Sequence, residues 1–442
     1  MIKKEKNTSR LYLLLVKVSC SFMSTIFGLA SGSGRCGVSV FRVSGPNVPE
    51  VWRALTGLQR LPPARVATLA KLFDGDNRPI DLQALALRFA APRSFSGEEV
   101  LELHVHGARA VQEALVSRLA SLDPALSLRA AAPGEFSRRA FLNGKMTLTE
   151  AEGLSDLVQA ETRAQRLQSL RQLSGELGRM YEKWRQQCIA MLARVEAVID
   201  FTDDDLIESE TYARVLPLAQ QLAHEMRVHL DDGGRGERVR EGVKVALVGS
   251  PNAGKSSLYN LLLRRNAAIV TNVPGTTRDV LEACLEVGGH KVTLLDTAGL
   301  RDSNDQIEMM GIERAKGEYE KADVRVLVLD WREMPWSNVL EGLGSQAPSL
   351  VVLNKADLGD TTEAVGKIKQ LFPSVPTVVM SCLIGDSKPL LENLANLLGP
   401  VSDDEGSAPL LTRPRHRAHV EKVVSYLLCL LLLKKKTGSA CS

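Results

Sequence analysis

The sequence predicts a fold of class α/β + α. An N-terminal α/β domain is followed by a helical domain and by a second α/β domain with a doubly wound, mostly parallel sheet. Three observations carry this reading. Residues 24–146 alternate short β-like runs, VSVFRVSG and EVLELHVHG, with helical stretches such as the one around Ala110–Leu122. From Thr147 to about Ile199 the chain turns to Ala, Leu, Gln, Arg and Glu, with apolar residues three and four apart, the pattern of long amphipathic helix. From Val243 the strand-like runs KVALVG, KVTLLD, VRVLVLD, SLVVLN and TVVMSC lack polar alternation, as strands of a parallel sheet covered on both faces do.

Taken in order, the elements divide as residues 1–23, 24–146, 147–241, 242–400 and 401–442. The leader is basic with one acid, Glu5, and reads as a mitochondrial transit peptide. A signal peptide is the rival, against which Lys17 and the lack of an A-x-A site argue; a disordered leader is the plainer alternative. A second helical stretch covers roughly Thr211–Leu230, and DDGGRGERVREG, 231–242, reads as a glycine-rich charged linker. After about Pro400 the acidic SDDEGSAP leads to the helix-like TRPRHRAHVEKVVSYL. The apolar run at 423–433 is far shorter than the ~20 residues of a membrane span, so no integral membrane association is expected.

The 442 residues carry 55 basic and 52 acidic side chains, a net charge of +3. That balance does not by itself argue for nucleic acid or membrane, and any RNA contact must come from a local patch. Seven scattered cysteines, none in a CxxC pair, exclude a disulfide framework and a zinc site of the usual spacing.

The chemistry is concentrated in the last α/β domain. GSPNAGKS, Gly249–Ser256, fits GxxxxGK(S/T) between a strand-like run and the helix-like SLYNLLLRR, the context this motif needs. Backbone N–H groups of Asn252, Ala253, Gly254, Ser256 and Ser257 would wrap phosphates. Lys255 would reach the β- and γ-phosphates and Ser256 would ligate Mg²⁺. DTAG, 296–299, ends the KVTLLD run and offers Asp296 to the Mg²⁺ shell and the Gly299 N–H to the γ-phosphate. NKAD, 354–357, ends a further strand. Asn354 and Lys355 belong to it, and Asp357 can accept from N1–H and N2–H₂ of guanine, an edge adenine lacks. The ligand is therefore GTP and not ATP. Ser381 and Cys382 sit where another loop would meet guanine O6. In NAAIVTNVPGTTRD, 266–279, Thr277, with Thr276 beside it, is the choice for covering Mg²⁺.

One position is anomalous. Many GTPases place a water-orienting glutamine directly after the DxxG glycine, and here that residue is Leu300. Asn252 and the TNVPGTT loop offer oxygens to a monovalent cation that would neutralise developing charge. Asp302, Asp305, Glu308 and Glu313 follow Leu300. By composition alone, each of these acids is better read as part of a solvated loop or as helix N-terminal charge.

GSPNAGKSSL, IVTNVPGTTRD, DTAGLRD and NKAD, preceded by GLASGSGRCGVSVFRVSG and APGEFSRRAFLNGKMTLTEAEGLSDL, resemble the MnmE/TrmE family of tRNA-modification GTPases, in its mitochondrial form. The resemblance covers about residues 24–424. It implies a Ras-like G domain inserted into a helical domain, and a homodimer through an N-terminal domain that binds 5-formyl-tetrahydrofolate. It also implies K⁺-dependent pairing of G domains that activates GTP hydrolysis. An FAD-dependent MnmG-type partner acts with the family on C5 of the tRNA wobble uridine. By position, Asn252, Thr271, Val273 (through its carbonyl) and Thr276 match K⁺ ligands, Ser256 and Thr277 match Mg²⁺ ligands, and Glu308 matches the glutamate that orients water. Arg42, Glu102 and Lys145 match the folate-site residues. A carboxylate suits a pterin's N–H edge, and cations suit the folate's glutamate tail. His104 and His106 share a strand face and are read as structural. The G motifs alone would also fit ribosome-assembly GTPases, against which the N-terminal domain and long helical segment argue.

The chain departs from the family in three places. Ala108 stands where the family has the second glycine of HGG, which would be strained if φ were positive. Cys382 replaces the usual alanine. The C-terminus ends in SACS in place of a C-I/V-G-K motif, so no role is assigned to Cys441. The helices of 147–230 are expected to lose packing partners and expose an apolar face. A non-catalytic form that binds GTP is the alternative this departure raises.

Overall fold

The computed structural model describes residues 24–32, 34–122, 126–201, 205–232, 234–250, 252–265, 283–295, 322–336, 347–399 and 409–437. They form two compact units that divide between Ala151 and Glu152.

The first unit is built on a six-stranded sheet: β1 (Thr25–Leu29), β2 (Val38–Ser44), β3 (Thr68–Phe73), β4 (Pro79–Phe89), β5 (Val100–His106) and β6 (Leu128–Ala130), in the order β3-β4-β5-β2-β1-β6. All pairs are antiparallel except β1–β6. Period-two alternation sends Phe41, Val43, Leu101, Leu103 and Val105 into a core shared with α1 (Val48–Thr56) and α2 (Arg109–Ala120) through Val48, Val51, Trp52, Leu55, Leu115 and Leu119. The same alternation leaves Arg42, Glu102 and His104 on the opposite face. The unit closes with α3 (Glu135–Leu142).

His106 accepts its place from Asp81, whose Oδ2 lies 2.9 Å from both the His106 backbone nitrogen and Nδ1. The expected strain at Ala108 does not arise. Ala108 is extended, φ −74°. The crowded position is Gly107, where a Cβ would lie 2.2 Å from the Cys36 carbonyl oxygen. The HGG signature therefore needs only its first glycine here.

The expected long helix is three: α4 (Leu148–Val158), in which the division between the units falls, and α5 (Arg163–Leu173) and α6 (Glu176–Phe201) of the second unit. Two local signals break it. Thr162 and Gln165 form a reciprocal capping box that starts α5, and Gly175 has φ +82° before α6. Helix α7 (Asp205–Leu230) follows. The segment read as a linker contains α8 (Arg235–Glu241), started by Gly234 at φ +72° and ended at Gly242.

Helix α12 (Pro414–Thr437) changes the expectation of an uncovered helical face. Its Val420, Val424 and Leu427 pack with Trp184, Met191, Val215, Ala219, Leu222, Ala223 and Met226 of α6 and α7. Residues before and within the YLLCLLLL run supply this contact, so the bundle keeps a partner from its own chain. A cavity of about 350 Å³ remains beside it, lined by Met191, Leu192, Val195, Val423 and Tyr426 among others.

The other part of this unit is a sheet ordered β12-β11-β10-β7-β9-β8. Its strands are β7 (Val243–Val248), β8 (Ala283–Val287), β9 (His290–Leu295), β10 (Val324–Asp330), β11 (Leu350–Asn354) and β12 (Thr377–Val379). The five predicted strands are the parallel ones. The strand that sequence reading missed, β8, is an antiparallel edge. Gly288 and Gly289, both at positive φ, turn it into β9, and adjacent glycines are the signal that marks it. Helices α9 (Lys255–Arg265), α10 (Thr362–Leu371) and α11 (Lys388–Leu398) cover the sheet. Among the described residues no helix is long and apolar enough to cross a membrane.

Candidate functional site

Strands β7, β10 and β11 end side by side, and the loops that leave them converge. Residues 249–254 connect β7 to α9, whose first backbone N–H groups have no partner within the helix and so face outward for an anion. The loop is close-packed from below. A Cβ at Gly249 would lie 1.9 Å from the Val328 carbonyl oxygen, so this glycine is required for the loop to cross β10. Gly254 has φ +101°, and a Cβ there would lie 2.0 Å from Asn354 Nδ2. Asn252 also takes the left-handed region, φ 63°. Lys255 donates to the carbonyl oxygens of Gly249 and Ser250 at 2.9 and 2.7 Å. Burial lowers its pKa. A polyanion would supply the charge complement that two neutral carbonyls do not. Ser256 is exposed on the first turn, open to a cation, beside Ser257.

Asn354 ties the site together. It is 2% exposed, yet both ends of its amide are used. Nδ2 donates to the Ala253 carbonyl at 2.9 Å, and Oδ1 accepts from the Cys382 N–H at 3.0 Å. One side chain thus fixes the phosphate loop to the loop after β12. Ser381 is buried, and its hydroxyl accepts from the backbone N–H groups of Leu383 and Ile384 at 3.2 and 3.4 Å, which shapes that loop. Burial pushes the Cys382 thiol up to about 11, so it stays a neutral SH. Asp357 is exposed at the same edge. The sequence-predicted Asn252, Ala253, Gly254, Lys255, Ser256, Asn354, Lys355, Asp357, Ser381 and Cys382 are therefore brought to one edge of one sheet. Thr271, Val273, Thr276, Thr277, Asp296, Gly299 and Glu308 lie outside the described residues, as does Leu300.

Sequence reading missed three neighbours. Asp330, at the end of β10, is 1% exposed and holds Lys355 Nζ at 2.7 Å. Trp331 donates to the Lys355 carbonyl at 3.0 Å. Glu333 accepts from the Ser250 hydroxyl at 2.7 Å. The only available signal was an apolar run, VRVLVLD, that ends in Asp as KVTLLD does.

A second constellation lies in the first unit. Arg42 and Glu102 face each other across β2 and β5, with Nε and Nη2 of Arg42 donating to Glu102 Oε1 at 2.9 and 2.7 Å. The guanidinium lies 4.7 Å from the Phe95 ring centroid and 5.6 Å from that of Phe136. Buried His104 Nε2 has no hydrogen-bond partner among the described residues and lies 4.0 Å from Glu102 Oε2. Lys145 packs its stem on Gly97, two residues from Phe95, where a Cβ would lie 3.2 Å from Lys145 Cγ. The side of the sheet that carries Arg42 and Glu102 is thus aromatic and charged, with an unpaired buried nitrogen.

Comparison with known proteins matches both parts of the chain to one family. The model of the MnmE helical domain matches residues 148–439, and that of the TrmE N-terminus matches 25–145. The mitochondrial 5-taurinomethyluridine tRNA synthase subunit GTPB3 of Danio rerio is 43% identical, over 94% of this chain and 86% of that protein. The human protein of the same name is 44% identical, over 90% of this chain and 82% of its own length. The tRNA modification GTPase MnmE of Paramagnetospirillum magneticum is 45% identical, over 91% and 89%. Among solved structures, Aquifex aeolicus Era bound to GDP and aluminium fluoride is 27% identical over 39% of this chain and 61% of its own, with a TM-score of 0.28. Two family models that between them span nearly all of residues 25–439, and relatives above 40% identity along most of their length, place the chain in the MnmE/TrmE family of tRNA-modification GTPases.

Proposed function

We propose that the chain binds GTP with Mg²⁺, hydrolyses it with the help of K⁺, and acts in mitochondrial modification of tRNA wobble uridine at C5. The observation that carries this is the Asn354 amide, which joins the phosphate loop to the base loop in the arrangement a guanine nucleotide needs. Lys255 and Ser256 would hold the phosphates and Mg²⁺; the cation would supply charge neutralisation at the phosphoryl oxygens. Asn252, Thr271, Val273 and Thr276 would hold K⁺, and Glu308 would orient the attacking water in place of the glutamine absent at Leu300. Asp296, Gly299 and Thr277 complete the γ-phosphate side. The boundaries 24–146, 147–241, 242–400 and 401–442 are proposed for the domains.

Arg42, Glu102 and Lys145 are proposed to hold a one-carbon folate such as 5-formyl-tetrahydrofolate. The aromatic rings of Phe95 and Phe136 beside Arg42 support this, since a pterin stacks on such surfaces. The chain is proposed to act as a homodimer with an FAD-dependent MnmG-type partner. The relatives named as mitochondrial taurinomethyluridine synthase subunits support the compartment and the class of product.

The test is complementation. Cells lacking their own family member receive this chain or its Lys255→Ala variant, and the wobble nucleoside of mitochondrial tRNA is read by mass spectrometry. Restoration of the C5 substituent by the wild-type chain alone is expected. Unmodified uridine in both would refute the assignment to tRNA modification.

A further inference from the structure

We infer that Asp330 and Trp331 are positioning residues for guanine recognition: together they grip Lys355 at both ends and so set the aim of Asp357. Neither belongs to the phosphate-loop, DxxG or NKxD motifs, and the inference rests on reading residues 354–357 as the guanine-binding loop.

The geometry is specific. Lys355 takes a left-handed backbone, φ 63°, which a lysine adopts only when its surroundings impose it. Its ammonium lies 2.7 Å from Asp330 Oδ2. Its carbonyl accepts from the Trp331 indole N–H at 3.0 Å. The last residue of β10 and the residue that follows it therefore hold the side chain and the main chain of the same residue. Asp330 is itself fixed: Oδ1 accepts from the backbone N–H and Nε of Arg332, both at 3.1 Å, and Oδ2 accepts from Nη2 at 2.8 Å. Arg332 first, then Lys355, keep its carboxyl ionised well below the usual carboxylate range. Trp331 is fixed in turn by Gly359, where a Cβ would approach the ring to 3.0 Å. Parallel pairing sets the register, with Asp330 opposite Asn354. Asp357 follows two residues after Lys355 in a tight 3₁₀ turn, Ala356–Leu358, so an error at Lys355 is passed to the Asp357 carboxylate.

The consequence concerns selectivity between bases. Guanine offers Asp357 two donors, N1–H and N2–H₂; hypoxanthine, the base of ITP, offers only N1–H. A well-aimed carboxylate prefers GTP, and a misaligned one loses the second hydrogen bond first. GTP and ITP are titrated calorimetrically into the full chain and into its Asp330→Asn and Trp331→Phe variants. The second variant keeps the ring against Gly359 and removes only its N–H. The wild-type preference for GTP is expected to fall about tenfold in Asp330→Asn, the scale of one hydrogen bond to a charged group, and less in Trp331→Phe. Adding Lys355→Met to Asp330→Asn is expected to change the ratio no further. A parallel loss of affinity for both nucleotides, with the ratio unchanged, would overturn the inference, because that is what a merely structural role produces. If Asp330→Asn does not fold, an unchanged ratio in Trp331→Phe is sufficient to overturn it. A wild-type chain with no preference for GTP over ITP would instead sink the reading of the loop itself.

Discussion

Replacing Asn354 by alanine removes two hydrogen bonds from one buried point. The amide is 2% exposed, and its partners, the Ala253 carbonyl and the Cys382 N–H, are 2.9 and 3.0 Å away. A net hydrogen bond is worth about 1 kcal/mol, and a buried partner left unpaired costs about 1–3 kcal/mol. Ala253 is fully buried, so its carbonyl cannot recover a water, whereas Cys382 is only partly buried and its N–H can. The expected loss is therefore about 2–3 kcal/mol. Part of it is expected as lower domain stability and part as weaker nucleotide binding, since the proposed ligand would hold together the same two loops. If about 2 kcal/mol falls on binding, the Kd rises about 30-fold. Calorimetric titration with GDP, beside a thermal melt of the free protein, separates the two shares. A Kd within twofold of wild type together with an unchanged melting temperature would refute the claim that Asn354 joins the loops.

Three further outcomes follow from the same geometry. Gly254→Ala places a Cβ 2.0 Å from Asn354 Nδ2 at φ +101°, and is expected to abolish nucleotide binding measured by the same titration while Gly366→Ala, in open space on α10, leaves it intact. Leu222→Ala, at a 1% exposed position of α7 in the core shared with α12, is expected to cost about 2–5 kcal/mol in urea unfolding; a loss below 1 kcal/mol would mean that α12 does not cover this face. Glu135 lies between Arg129 at 2.6 Å and Arg139 at 3.1 Å. Burial raises its pKa, but Arg129, the Ala132 N–H and Arg139 outweigh that and bring it from 4.5 to about 2. A depressed pKa contributes stability that is present above the unfolded value and lost as pH falls through the folded one. About 3 kcal/mol is therefore expected to disappear between roughly pH 5 and pH 2, and Glu135→Gln is expected to flatten that part of the acid-unfolding curve.

The nucleotide site was legible where chemistry dictates residue type at fixed spacing. Gly249, Gly254 and Asn354 each fill a place that few other residues can, and the roles proposed for Lys255 and Asp357 are as demanding, so the pattern is visible in a single sequence. The parallel strands were legible because burial on both faces leaves unbroken apolar runs. What was not legible came from tertiary pairing. Asp330 and Trp331 meet Lys355 only through the register of β10 on β11, and nothing local in VRVLVLDW announces it. The helix breaks at Thr162 and Gly175 were written as a capping box and a left-handed glycine, but the apolar periodicity across them masked both. Residues 163–173 were read as helix, but α5 as a separate element was hidden for a further reason. Its buried face is polar: Gln165 and Gln168 donate to the carbonyls of Arg240 and Leu410, and the Thr412 hydroxyl donates to Gln172. A hydrophobic pattern does not show where such a helix turns its polar inner face to backbone. The tail was read by its departure from a motif, whereas Val423, Val424, Leu427, Leu428, Leu430 and Leu431 of α12 pack against α6 and α7.

The most direct test of the account is GTP hydrolysis by the purified chain in KCl against NaCl, with Glu308→Ala alongside. The account predicts turnover in KCl that falls steeply in NaCl and is lost in Glu308→Ala, while the variant still binds GTP. GTP bound tightly but hydrolysed in neither salt would contradict it, because Leu300 would then stand without a substitute for the missing glutamine.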